Sequence, residues 1–80
     1  MKLPRDVSGD DLVKGLRRVG YEIERQKGAH VSMTTKQNGE HHVSVPLHNP
    51  IKSGTLSAVL SSVSDHLAMS REDLLKATKL

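Results

Sequence analysis

The chain contains no cysteine, so neither a disulfide nor a thiolate metal site can staple it. A reducing compartment, the cytoplasm, is the expected address. Tryptophan and phenylalanine are absent too, and Tyr21 is the only aromatic residue. The core must therefore be leucine, valine, isoleucine and methionine, and no stacking platform for RNA bases is available. No apolar run approaches the roughly 20 residues of a membrane span, and Met1–Arg5 opens no signal-peptide h-region. No membrane association is expected.

What is present fits one small domain spanning residues 1–80, with a core of marginal size. The net charge is +3, and all of the excess lies in residues 1–54, which suggests an anionic partner such as nucleic acid. Gln26-Lys27-Gly28-Ala29-His30-Val31-Ser32-Met33 is the most distinctive stretch. It places a glycine and a histidine at the mouth of a β-strand, just after Arg25 and Lys27. A lone strand histidine is either a satisfied structural residue or a working group. Alternation puts Val31 and Met33 on one face and His30, Ser32 and Thr34 on the other, so His30 faces away from the core.

Ser8-Gly9-Asp10-Asp11 predicts a capped helix start, with Val7 and Leu12 at staple positions. Leu12, Leu16 and Val19 form the stripe that this helix buries, with Val13 at its edge, and Gly20 ends it. Lys14, Arg17 and Arg18 fall opposite, as a solvated face or as a surface for backbone phosphates. Tyr21 to Gln26 alternates as a first strand with Tyr21 and Ile23 inward, and Glu22 and Glu24 sharing the outer face. Lys27-Gly28 reads as a turn, His30 to Thr35 as the second strand and His41 to Leu47 as the third. Cross-strand partners must share a face, which excludes a two-residue Asn38-Gly39 hairpin without a bulge. Two registers remain: Met33 opposite Val43 with a five-residue loop, or Met33 opposite Val45 with a three-residue one.

Five histidines invite a metal site. Adjacent His41 and His42 point to opposite faces, however, and in the first register His42 lies roughly 13 Å along the sheet from His30. No helical H-x-x-x-H spacing occurs, so no metal and no cofactor are expected. His48 shares the parity of His30 and in the second register would stand opposite it. It is either a second proton-transfer group or a plain loop residue. Ser53 is expected to cap a second helix with Leu56, Val59, Leu60, Val63 and Leu67 inward. The other face of that helix, Ser57, Ala58, Ser61 and Ser62, is small enough to dock a partner. Ser70 caps a short third helix held by Leu74 and Leu75. The expected fold is α+β: a three-stranded antiparallel sheet in α-β-β-β-α order, two helices on one face, and a short C-terminal helix.

Arg25-Gln26-Lys27-Gly28-Ala29-His30, then Val43-Ser44-Val45-Pro46, then Lys52-Ser53-Gly54-Thr55-Leu56 carry a resemblance to the HicA-type toxins, or YcfA-like mRNA interferases, of bacterial toxin–antitoxin pairs. It runs from Ser8 to about Leu75. The resemblance implies a double-stranded-RNA-binding-domain-like fold, endoribonuclease action on mRNA, and neutralisation by a HicB-like antitoxin. It assigns the catalytic histidine to His30. Ala29 replaces the family's usual serine, and Val31 stands where a second histidine is often found. The RNA-binding set expected around His30 is Lys27, Arg25, Lys14, Arg17, Arg18 and Gly28. RNA supplies its own nucleophile, the 2′-OH, so a base and a charge stabiliser suffice; Lys27 and Arg25 are candidates for the second role. The alternative is a non-catalytic RNA-binding module on the same fold.

Overall fold

The computed structural model describes residues 6–80; Met1–Arg5 lie outside the described residues. The elements are α1 (Gly9–Arg18), β1 (Glu22–Lys27), β2 (His30–Thr35), β3 (His41–Pro46), α2 (Ser53–Leu67) and α3 (Arg71–Thr78). The strands form one antiparallel sheet in the order β1-β2-β3. This is the expected α+β order.

Local chemistry explains the ends of α1. The Ser8 hydroxyl accepts from the Asp11 N–H at 3.0 Å and Asp11 reaches back to the Ser8 N–H, closing a capping box. At the other end, Gly20 takes φ +102°, while its N–H donates to Arg17 and that of Tyr21 to Leu16. Those two bonds make a Schellman stop, whose left-handed residue is best a glycine.

The core sits between one sheet face and the helices. Val31 and Met33 of β2 and Val43 and Val45 of β3 meet Leu12, Leu16, Leu56, Leu60 and Val63. Helices α1 and α2 both pack on β3, and α3 packs on α1 and α2 rather than on the sheet. Leu74 and Thr78 of α3 are fully buried, and Leu75 is half-buried. Gly15 permits that packing, since a Cβ there would lie 3.0 Å from the Thr78 side chain. The opposite sheet face stays open and carries His30, Ser32, Thr34, His42 and Ser44.

Several expectations are corrected. Ile23 stands opposite Met33 on the core face as expected but is 48% exposed rather than buried, because the helices leave most of the edge strand β1 uncovered. Tyr21, just before that strand, is inward as expected. A β-bulge at Glu24 breaks the alternation between Ile23 and Arg25, yet Glu22, paired with Thr34, and Glu24, bonded to His42, both lie on the outer, open face as expected. The turn falls on Gly28-Ala29 rather than Lys27-Gly28, and β3 ends at Pro46. Met33 pairs with Val43, the five-residue-loop register, so His30 faces Pro46 and not His48. The N-cap of α2 is Lys52, with Ser53 as the first helical residue. The serine face of α2 is mostly engaged within the chain: Arg71 donates to Ser57 and Ser61, and Ser62 bonds to His41. That face is tied to α3 and β3, with its serines half-buried and Ala58 exposed.

Candidate active site

The hairpin between β1 and β2 builds the site. Gly28 takes φ +59° at the first position of a two-residue turn, as a type II′ turn requires. Lys27 thereby stands directly opposite His30. The bulge at Glu24 matters here, because a one-residue insertion exchanges the faces of everything after it. Strict alternation from Tyr21 and Ile23 would have turned Arg25 and Lys27 toward the helices. With the extra residue, Arg25 pairs with Ser32 and Lys27 with His30, so both cations share the open face with His30.

The segment after β3 completes the site. The Leu47 N–H donates to the Ala29 carbonyl at 2.6 Å, beside His30. The His48 carbonyl accepts from Gly9 at the start of α1, and the Ile51 N–H donates to Val7, both at 2.8 Å. These bonds tie the loop to the hairpin and to the head of α1. His30, Ser44, Pro46, His48, Lys52 and Thr55 then line one cavity of about 380 Å³. Among the described residues, no carboxylate lines it. His48 therefore does meet His30's surroundings, through the loop rather than through strand pairing.

Arg25 opens instead into a neighbouring depression of about 350 Å³ with Glu24, Ser32, His42, Val43 and Ser44. His42 sits between two carboxylates, Glu24 at 3.0 Å and Glu40 at 3.2 Å. The hydrogen bond that the His42 ring donates to Glu40, and after it the charge of Glu24, raises its pKa above the ordinary histidine value. Of the α1 cations, Lys14 is exposed, while Arg17 and Arg18 line a third cavity with Gln37, Asn38, Leu67 and Met69. Arg18 also donates to the Thr78 carbonyl at 3.1 Å. None of these three lines the His30 cavity. The head of α1 lies against the His48 loop, so Arg17 and Arg18 stand at the helix's far end, roughly 13 Å on.

A second cluster is not foreseen from the sequence. His41 Nδ1 bonds the Tyr21 hydroxyl at 2.7 Å and its Nε2 bonds the Ser62 hydroxyl at 3.1 Å. Its ring stacks on His66, with centroids 4.3 Å apart. His66 Nε2 donates to the carbonyls of Gln37 and Gly39 at 2.7 and 3.0 Å, holding the β2–β3 loop on α2. Burial, then the neighbouring His66 and His42, lowers the His41 pKa. The signal is there in the sequence, since His41 shares the inward parity of Val43 and Val45. Lys52, Ser44 and Thr55 are likewise site residues that the sequence does not announce; only folding brings them beside His30. Among the described residues, no group of three or more histidine or acidic side chains is arranged to hold a metal ion.

Comparison with known families places residues 9–63, more than half of the chain, on a model described as HicA toxin of bacterial toxin-antitoxin. The matched span contains every residue that lines the His30 cavity. Comparison with curated proteins and with solved structures gives no match.

Proposed function

Because the chain belongs to the HicA toxin family of bacterial toxin–antitoxin systems, we propose that it is a ribonuclease that cuts mRNA with His30 as its catalytic base. The observation that carries the reading is the cavity itself. An exposed histidine at a strand mouth shares it with a second histidine and a lysine, and no carboxylate intrudes. An imidazole exchanges protons near neutral pH, as a general base or acid must.

In this mechanism neutral His30 takes the proton of the ribose 2′-OH. The 2′-oxygen then attacks the adjacent phosphorus, and the bond from phosphorus to the 5′-oxygen breaks. His48, in its protonated form, gives the leaving 5′-oxygen its proton. The products are a 2′,3′-cyclic phosphate and a 5′-hydroxyl, and no metal enters any step. Lys27, Arg25 and Gly28 bind the RNA backbone at the hairpin. Lys14, Arg17 and Arg18 extend the track along α1 to strands long enough to leave the cavity.

The family makes an antitoxin the natural partner. We place a HicB-like antitoxin over the His30 cavity, where it would exclude RNA, and the working compartment in the cytoplasm. No helix among the described residues is long and apolar enough to cross a membrane.

The test is to induce the wild type and His30→Ala in a bacterium and follow total mRNA. Wild type should degrade mRNA and arrest growth, His30→Ala should do neither, and co-expressed antitoxin should protect. Intact mRNA under both inductions would mark a non-catalytic RNA-binding module instead.

A further inference from the structure

The wall of the cavity opposite the hairpin belongs to α2. Lys52, its N-cap, and Thr55, in its first turn, both reach the space that His30 lines. The backbone beneath Lys52 is held firmly. Its neighbour Ile51 is buried and donates to Val7, and the Lys52 carbonyl accepts from Leu56 at 2.9 Å. The side chain is exposed while its root is fixed, which suits a group that must meet a charge at a set place.

The other cations near the hairpin stand differently. Arg25 opens into the depression with Glu24 and His42, away from the cavity that His30 lines. Lys27 is the strand partner of His30 on the open face and does not line the cavity. Among the lysines and arginines of the described residues, Lys52 alone lines the cavity.

We propose that Lys52 stabilises the charge that develops on the reacting phosphate, across the cavity from His30. The proposal rests on the ribonuclease reading above and names the electrostatic group of that site. As the 2′-oxygen bonds to phosphorus before the 5′-oxygen leaves, the non-bridging oxygens carry one negative charge more than in the ground state. An ammonium placed there lowers the barrier because its attraction grows with that charge. Thr55 and Ser44 offer hydroxyl donors beside it.

The experiment uses a short RNA and its counterpart with 2′-deoxyribose at the cut site. Lys52→Met should lower kcat by about 10²-fold, as loss of one preorganised donor does. Binding of the deoxy counterpart should weaken by no more than about threefold, since the lost interaction belongs to the transition state. Lys52→Arg should recover part of kcat, and all three proteins should unfold at the same temperature. If the wild type cleaves and Lys52→Met cleaves equally fast, the assignment to Lys52 is overturned and the ribonuclease reading stands. An equal loss in binding of the deoxy counterpart overturns it too, leaving Lys52 as a plain RNA-binding residue. If the wild type cleaves no RNA, the ribonuclease reading falls and the assignment with it.

Discussion

His30→Ala separates a working histidine from a structural one. The His30 side chain is exposed and makes no hydrogen bond within the described residues, while its backbone pairing to Lys27 and Pro46 survives the change. Substitutions at such positions usually fall within about 0.5 kcal/mol. At about 4–8 °C per kcal/mol for a domain of this size, the unfolding midpoint should move by no more than roughly 2–4 °C. A marginal stability of about 0.05 kcal/mol per residue, or roughly 4 kcal/mol here, would still leave almost every molecule folded. A lost general base, by contrast, should slow cleavage by about 10²–10⁴-fold. That is about 3–5 kcal/mol of transition-state stabilisation, which the change in folded population cannot mimic. Thermal unfolding followed by circular dichroism and single-turnover cleavage of one RNA give the two numbers. A midpoint lowered by more than about 10 °C would make His30 a structural residue, and undiminished cleavage would remove it from the site.

Gly9→Ala should destabilise the fold by about 1–3 kcal/mol despite alanine's better helix propensity. The added Cβ would collide with the Pro46 carbonyl and the Leu47 Cα, backbone atoms that cannot step aside. Gly54→Ala, with open space around it, should cost nothing or stabilise by up to about 1 kcal/mol; urea titration compares the two. The two neighbouring histidines should shift stability with pH in opposite senses. His41, with its pKa lowered from 6.5, favours folding fully above that value and loses its contribution as the pH falls below it. His42, with its pKa raised, contributes fully below 6.5 and loses that contribution as the pH rises through its folded value. In His42→Ala, stability should therefore fall more steeply on acidification from about pH 7 to about pH 5, and an unchanged profile would dismiss the ion pairs with Glu24 and Glu40. Replacing Lys14, Arg17 and Arg18 by alanine should flatten the salt dependence of RNA binding, its slope falling by about one for every phosphate no longer neutralised. An unchanged slope would return that stripe to a solvated helix face.

The parts of this molecule that depend on neighbouring residues are legible in its sequence. Ser8 with Asp11, Gly20, and the alternation of Val31, Met33, Val43 and Val45 are local signals, and each element they specify is present. Face-matching alone reduces the β2–β3 pairing to two registers, and one of them is observed. What stays hidden is what the tertiary structure decides. Nothing in Glu22-Ile23-Glu24-Arg25 announces a bulge, because an edge strand without helix cover has no buried row to enforce alternation. Yet that bulge turns Arg25 and Lys27 onto the face of His30. Lys52 lies 22 positions after His30 in sequence, and the loop that returns it there is set by backbone bonds to Val7, Gly9 and Ala29. The serines of α2 read from sequence as a face open to a partner because the groups they bond, Arg71 and His41, come from α3 and β3.

The chemical ends left on a cut RNA test the central claim most directly. Wild-type protein should be incubated in EDTA with an end-labelled RNA, and the termini at the break identified by their reactivity toward kinase, phosphatase and ligase. A histidine base acting on the 2′-OH predicts a 2′,3′-cyclic phosphate on one fragment and a 5′-hydroxyl on the other. A 5′-phosphate would mean that water, not the ribose, is the nucleophile, and would contradict the mechanism built on His30.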